Sequence, residues 1–455
     1  MQSTARAVAT DDSPSLGGVV VRSIEVKQAL VRSFWDGMFA TAMIALTETF
    51  GIAAAVSLKA HSMAIALLGS APLLLGSLGQ YFLPAFVDLT QRKKPVLIGV
   101  GLQAIFLGGA SVAGFLASPY GGWAYVAGIV LAGASANVTT ASWVSWMGDL
   151  VPLEARPRHF AWRSRLFAFV NLSVALAAGY LAGDYSSQNA PWTFFTVVFA
   201  LASLFRFLSY QMLKRQYEPP MQPTRAKAGW RAQPSRDFKQ FCIAHGLVQG
   251  AAAMSGPFFS VWYLRDLKFD YLTLAVTSCS TVAGSIIALP GWGKLADRYG
   301  NRAVLWIAGL FVSLMPLPYL ALTSHVAVWA INVFGGLAWA GYNLASFNHL
   351  LGASENKDRA RLFAYASVVT GLLVFSMTLL GGFLSTRLPT LFAWQLQSLF
   401  LVSAGVRLGT FLLFFSRLEE YAPPPGQGAQ DLFNQIPGYR VGLGLLRNFF
   451  RAFRG

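Results

Sequence analysis

Twelve stretches of about 20 mostly apolar residues, separated by short polar turns, constrain this chain more than any other feature. They fall at approximately 34–58, 63–86, 95–117, 123–148, 165–184, 192–213, 241–264, 271–292, 303–322, 327–351, 362–384 and 392–415. A helix of that length crosses the hydrocarbon layer, and in lipid only helices and closed barrels satisfy every backbone group. The expected class is therefore an all-α, multi-pass membrane protein. Composition agrees: 55% of the 455 residues are hydrophobic and 12% charged, against roughly 25% charged in a soluble domain.

The formal charge of +16 would suggest nucleic-acid binding if the basic residues formed one patch. Instead they recur in every second loop, the pattern of the positive-inside rule. On the opposite side the loops hold only Lys59, Arg265, Lys268 and Arg387. The basic side carries both termini, as an even number of spans requires, so both are expected in the cytoplasm. Cys242 and Cys279 fall near opposite ends of successive spans, too far apart for a disulfide. No His/Cys/acid cluster suggests a metal, no Walker loop suggests ATP hydrolysis, and no Ser-His-Asp arrangement suggests a hydrolase. No cofactor is expected. Asn137 and Asn171 match the glycosylation pattern but lie inside spans, which with the short outer loops favours a bacterial inner membrane.

Five segments follow. Residues 1–32 read as a cytoplasmic tail, mobile up to about Val20, and 33–213 as a six-helix bundle. Residues 214–238 read as a proline-rich, basic linker, and 239–417 as a second six-helix bundle. Residues 418–455 form a basic tail in which Arg440, Arg447, Arg451 and Arg454 share one helical face. Such a tail could lie on the inner leaflet against anionic lipid. The bundles are related by an internal repeat. One offset places Asp36-Gly37 on His245-Gly246, Asp88 on Asp297 and Lys93 on Arg302. Slightly shorter offsets place Arg158-His159-Phe160-Ala161 on Arg361-Leu362-Phe363-Ala364, and Arg206 on Arg407.

The charged turn Gly293-Lys294-Leu295-Ala296-Asp297-Arg298-Tyr299-Gly300-Asn301-Arg302 resembles the signature loop of the major facilitator superfamily. Its first copy, Pro84 to Lys94, keeps Asp88, Arg92 and Lys93 but lacks both glycines. The resemblance covers about residues 30–418. It implies twelve transmembrane helices in two bundles related by a pseudo-twofold axis across a central cavity. It also implies a conformational latch, made by Gly293, Asp297, Arg298, Gly300 and Arg302, with Asp88, Arg92 and Lys93 in the weaker copy. In the family the Asp sits near the start of helix 11, where the helix dipole favours an anion. The motif that marks drug–proton antiporters is absent from Phe167 to Asp184 and that of sugar porters from Tyr217-Glu218-Pro219-Pro220, so neither subgroup is supported.

Charged residues inside spans default to function. Glu48 lies about 14 residues into the first span, near mid-membrane. In the family that helix lines the cavity. Low dielectric favours a protonated carboxyl, so Glu48 is the candidate for proton coupling or for binding a cationic substrate. The fourth and tenth spans, which the family also turns toward the cavity, are rich in amides and aromatics. Asn137, Trp143, Asn343 and Asn348 there, with Gln249 of the seventh span, are the substrate-cavity candidates; amides also glue helices together. Pro257 could kink the seventh helix. Asp36 reads as a boundary charge. Arg206 and Arg407 lie close enough to the basic face to snorkel, as a structural pair or as lipid contacts.

The expected function is transport of a small solute by alternating access, coupled to a proton or another ion as symport or antiport, by a monomer that is not an enzyme. The alternatives are a non-transporting sensor or scaffold on the same fold and, further off, a polytopic membrane enzyme.

Overall fold

The computed structural model describes residues 16–82, 92–117, 119–150, 156–183, 191–219, 234–354 and 359–415. Asp88, most of the linker and the basic tail after 415 lie outside the described residues. Twelve α-helices account for nearly all of the described chain: α1 (Leu16–Ser57), α2 (Ser62–Phe82), α3 (Lys93–Val112), α4 (Tyr120–Leu150), α5 (Arg156–Leu181), α6 (Trp192–Lys214), α7 (Arg236–Arg265), α8 (Tyr271–Tyr299), α9 (Asn301–Leu314), α10 (His325–Gly352), α11 (Arg359–Leu384) and α12 (Gln395–Phe414). Where the sequence reads a tail, α1 already begins at Leu16. At 42 residues it is longer than the hydrocarbon layer is thick.

Ten of the helices are long and apolar enough to cross a membrane; α7 and α10 are left out. Those two carry His245, Gln249, Asn343, Asn348 and His349, so their polarity has to be met by protein or water rather than lipid.

The repeat seen in the sequence reappears in the packing. Within the first half α1 packs on α5 and α6, α2 on α4, and α3 on α4 and α6; within the second, α7 packs on α11 and α12, α8 on α10, and α9 on α10 and α12. Between halves α2 meets α11 and α5 meets α8, which are the same contact under the repeat. A pseudo-twofold axis therefore relates both the bundles and their seam.

Small residues allow the tightest crossing. On α8 and α10, a Cβ at Gly284 would lie 2.0 Å from the Val333 carbonyl oxygen, and one at Gly336 would lie 1.9 Å from that of Thr281. The close approach lets Ser285 Oγ donate to the Gly336 carbonyl at 3.0 Å and Trp292 Nε1 to the Leu337 carbonyl at 2.8 Å. Small residues at a crossing are a general device of membrane helices. Gly336→Ala forces two backbones apart and should destabilise the second half by about 1–3 kcal/mol. Thermal unfolding in detergent checks this, and an unchanged midpoint would refute it.

Candidate functional site

The halves meet along a seam formed by α1, α2 and α5 of the first and α7, α8 and α11 of the second. Helix α1 lies inside it, touching α4, α5 and α6 of its own half and α7 and α8 of the other. Glu48 is exposed on this surrounded helix. It has no ion-pair partner among the described residues. Within the second half, Gln249 of α7 donates from Nε2 to Asn343 Oδ1 of α10 at 3.4 Å. Asn343 is exposed, and Trp339 and Phe347, one turn either side of it, are half-buried and exposed. These three share one face of α10. One turn from Gln249, His245 Nδ1 lies 3.1 Å from the Tyr342 hydroxyl, and the two rings stack.

The other sequence candidates are engaged in packing. Asn137 faces α2: its Nδ2 donates to the Pro72 carbonyl at 3.3 Å, and its own carbonyl accepts from Gln80. Asn348 donates to Asn301 Oδ1 at 3.0 Å, tying α10 to the first residue of α9. Trp143 lies under the Arg163 guanidinium, 5.2 Å from its ring centre, and its side chain bonds to Asp36. The structure thus brings Gln249 and Asn343 together within the second half and sets Asn137, Trp143 and Asn348 in helix contacts of their own halves.

Asp36 is not a boundary charge. It is 3% exposed and accepts a 2.6 Å bond from Ser209 Oγ of α6, to which Arg206 Nη1 also donates at 3.1 Å. The Arg206 and Arg163 guanidinium groups both act on it electrostatically, and Arg163 Nη1 donates to Ser33 at 3.2 Å. Four helices of the first half (α1, α4, α5 and α6) therefore converge on one carboxylate. The recurrence of Arg206 as Arg407 was the one sequence signal for such a cluster. Arg407 does not snorkel either: it is 3% exposed and donates to the Val312 carbonyl at 3.1 Å and to Ser255 Oγ at 3.0 Å. With Ser403, which donates to the Ala251 carbonyl at 2.6 Å, it clasps α7 one turn before Pro257. Lost backbone bonding at a proline makes that turn the place where α7 can bend.

The charged turn closes α8 and starts α9. Gly300, at φ 86°, is the cap that both helices share, a conformation that glycine alone adopts without strain. Asp297 and Arg298 are exposed, and Arg298 lies 5.1 Å over the Tyr299 ring. A Cβ at Gly293 would meet nothing within 4 Å. Neither Asp297 nor Arg298 is seen in a contact with the first half among the described residues; residues 355–358, at the start of α11, lie outside them. The first copy is more tightly held. Arg92 is buried and donates to the Ser145 carbonyl at 3.2 Å and the Pro219 carbonyl at 3.1 Å. Glu218 Oε1 caps α3 by accepting from the backbone N–H groups of Arg92 at 2.7 Å and Lys93 at 3.1 Å. Sequence reasoning passed over Glu218, because a single acid after a span carries no periodicity.

The halves close on the face opposite the basic one. Tyr271, the first residue of α8, is fully buried against Phe50 of α1 and Phe194 and Phe195 of α6, stacked on Phe194 with ring centres 5.6 Å apart. Nearby, a Cβ at Gly179 of α5 would crowd the Tyr271 carbonyl at 3.2 Å. A Cβ at Gly382 of α11 would meet Ala66 of α2 at 3.0 Å. Toward the basic face, Val144 of α4 is 56% exposed and Phe347 of α10 is 55% exposed, and a Cβ at Gly291 of α8 would meet nothing within 4 Å. Aromatic packing thus joins the halves on the face opposite the basic one.

The Major Facilitator Superfamily profile matches residues 29–241 and again residues 241–453. A 4-hydroxybenzoate transporter, PcaK, of Pseudomonas aeruginosa is 27% identical over 183 residues, 40% of this chain and 39% of its own. The multidrug resistance protein MdtG of Escherichia coli is 25% identical over 167 residues, 36% of this chain and 39% of its own. The chain thus spans about two-fifths of the length of these curated relatives. Among solved structures, a bacterial homologue of the iron transporter ferroportin in its inward-facing state superposes with a TM-score of 0.66 at 13% identity, covering 85% of this chain and 98% of that one. Identity that low speaks to the fold.

Proposed function

The chain belongs to the Major Facilitator Superfamily, and from that premise we propose that it is a secondary active transporter carrying a small solute by alternating access. What supports this reading is Glu48, an exposed carboxylate with no ion-pair partner among the described residues, on a helix that touches both repeat-related bundles. In the second half Gln249 and Asn343 stand as hydrogen-bonding groups and Trp339 and Phe347 as aromatic surface, the mixture that small-molecule sites use. Glu48 is the proton-coupling group: its charged form is favoured when water reaches it and its neutral form when the seam closes. An unpaired carboxylate at that level favours a neutral or cationic solute over an anion.

The basic face is cytoplasmic, in a bacterial inner membrane, with both termini inside and the monomer as the working unit. The latch of Asp297, Arg298, Gly293, Gly300 and Arg302, and its weaker copy of Asp88, Arg92 and Lys93, engages when the seam shuts on that face and Tyr271 withdraws on the other. Uptake of candidate solutes into proteoliposomes, with and without a pH gradient, tests the reading. Concentrative uptake that needs the gradient is expected. Binding without translocation would favour a sensor on the same fold.

A further inference from the structure

A cleft of about 340 Å3 opens on the outer surface of the first half, between the basic-face ends of α3 and α6, away from the seam. It is lined by Lys93, Lys94, Leu97, Ile98, Tyr210 and Glu218. We propose that it holds an anionic phospholipid of the inner leaflet, with the headgroup phosphate on Lys94 and Lys93 and an acyl chain in the trough below.

Charge and shape agree on that occupant. Lys94 is exposed, and its side chain has no partner among the described residues. Lys93 Nζ donates to the Gln216 carbonyl at 2.8 Å, which leaves its charge in place. Arg32 is close enough to act on Lys93 electrostatically. The one acid in the cleft, Glu218, is already held by the backbone of Arg92 and Lys93 and lies 3.9 Å from Arg92 Nε. The helix terminus is thus capped by the chain itself, and an incoming anion would meet ammonium groups. Below the lysines, Ile98, Leu102 and Ile105 form an exposed stripe on α3, faced by exposed Leu204 and Phe207 on α6, with Tyr210 stacked on Phe207. A free phosphate would leave that apolar trough unused. A phospholipid fills both parts.

Among the described residues the second half does not repeat this lining. Under the repeat Lys94 falls on Ala303 and Tyr210 on Phe411, both buried. Phe411 packs edge-on against Trp306 at 4.9 Å and fills the corresponding space. A positive-inside bias alone would act on both halves, whereas among the described residues this lining occurs in one.

Native mass spectrometry of the full chain, titrated with phosphatidylglycerol or with phosphatidylcholine of the same acyl chains, tests the proposal. Phosphatidylglycerol should bind more tightly, and Lys94→Gln should weaken it about fivefold with phosphatidylcholine unaffected. Lys94→Glu should weaken it further. Unchanged phosphatidylglycerol binding in both variants would overturn the proposal, as would a parallel loss of phosphatidylcholine. Displacement of the lipid by inorganic phosphate would also overturn it, in favour of a free-anion site.

Discussion

Replacing Glu48 by Gln should collapse gradient-driven accumulation while exchange of solute across the membrane continues. With one proton carried per solute molecule, each pH unit of gradient sustains about a tenfold concentration ratio, ~1.4 kcal/mol. The amide has the shape and hydrogen-bonding reach of the protonated acid but cannot give the proton up. The variant should therefore be able to reorient with solute bound, at a concentration ratio near unity. Glu48 is well placed for this because it is exposed on a helix enclosed by both halves, where rocking changes its access to water. Proteoliposome uptake of the transported solute measures the effect, and unchanged dependence on the gradient would remove Glu48 from the mechanism.

Asp36→Ala should be the most destabilising single change in the first half. It leaves the guanidinium groups of Arg206 and Arg163 in a buried site without their counter-charge. Arg163 is 6% exposed, and Arg206 Nε is buried with no bond of its own. Removing one partner of such a cluster costs about 3–5 kcal/mol. Asp36→Asn, which keeps an acceptor for Ser209, should lose less. Because the penalty is an uncompensated charge, adding Arg206→Met to Asp36→Ala should recover part of it. Thermal unfolding in detergent reads all three variants. A double variant less stable than either single one would show that packing, and not charge, holds the four helices together.

The large features of the fold were legible because hydrocarbon leaves few options. Apolar runs mark the helices, and basic residues mark one face. The offset that places Asp88 on Asp297 marks the duplication. Less could be read where the deciding partner is far away in the chain. Asp36 stands two residues inside its span and looks like an edge charge until Ser209 and Arg163, from other helices, are seen beside it. The start of α1 at Leu16 escaped because a helix outside lipid needs no apolar run. The amides divide for a simpler reason. Asn343 lies a full turn from Trp339 and Phe347 and so shares one face of α10 with them, whereas Asn348 is one residue further round than Phe347, about 100° away, and meets Asn301 instead. Residue type suggested all of them; only the packing distinguishes an amide set into a helix contact from one left exposed.

The central claim is that the two halves rock as units, so that one face closes as the other opens. Spin-label distances test it directly, with one pair at His61 and Lys268 on the face that is shut and another at Arg165 and Lys294 on the basic face, after Cys242 and Cys279 are replaced. Tyr271→Ala, which removes the ring buried among Phe50, Phe194 and Phe195, should lengthen the first distance and shorten the second in the same population. Lengthening of the first pair with the second unmoved would contradict the account, because it would mean a local gate and no rocking.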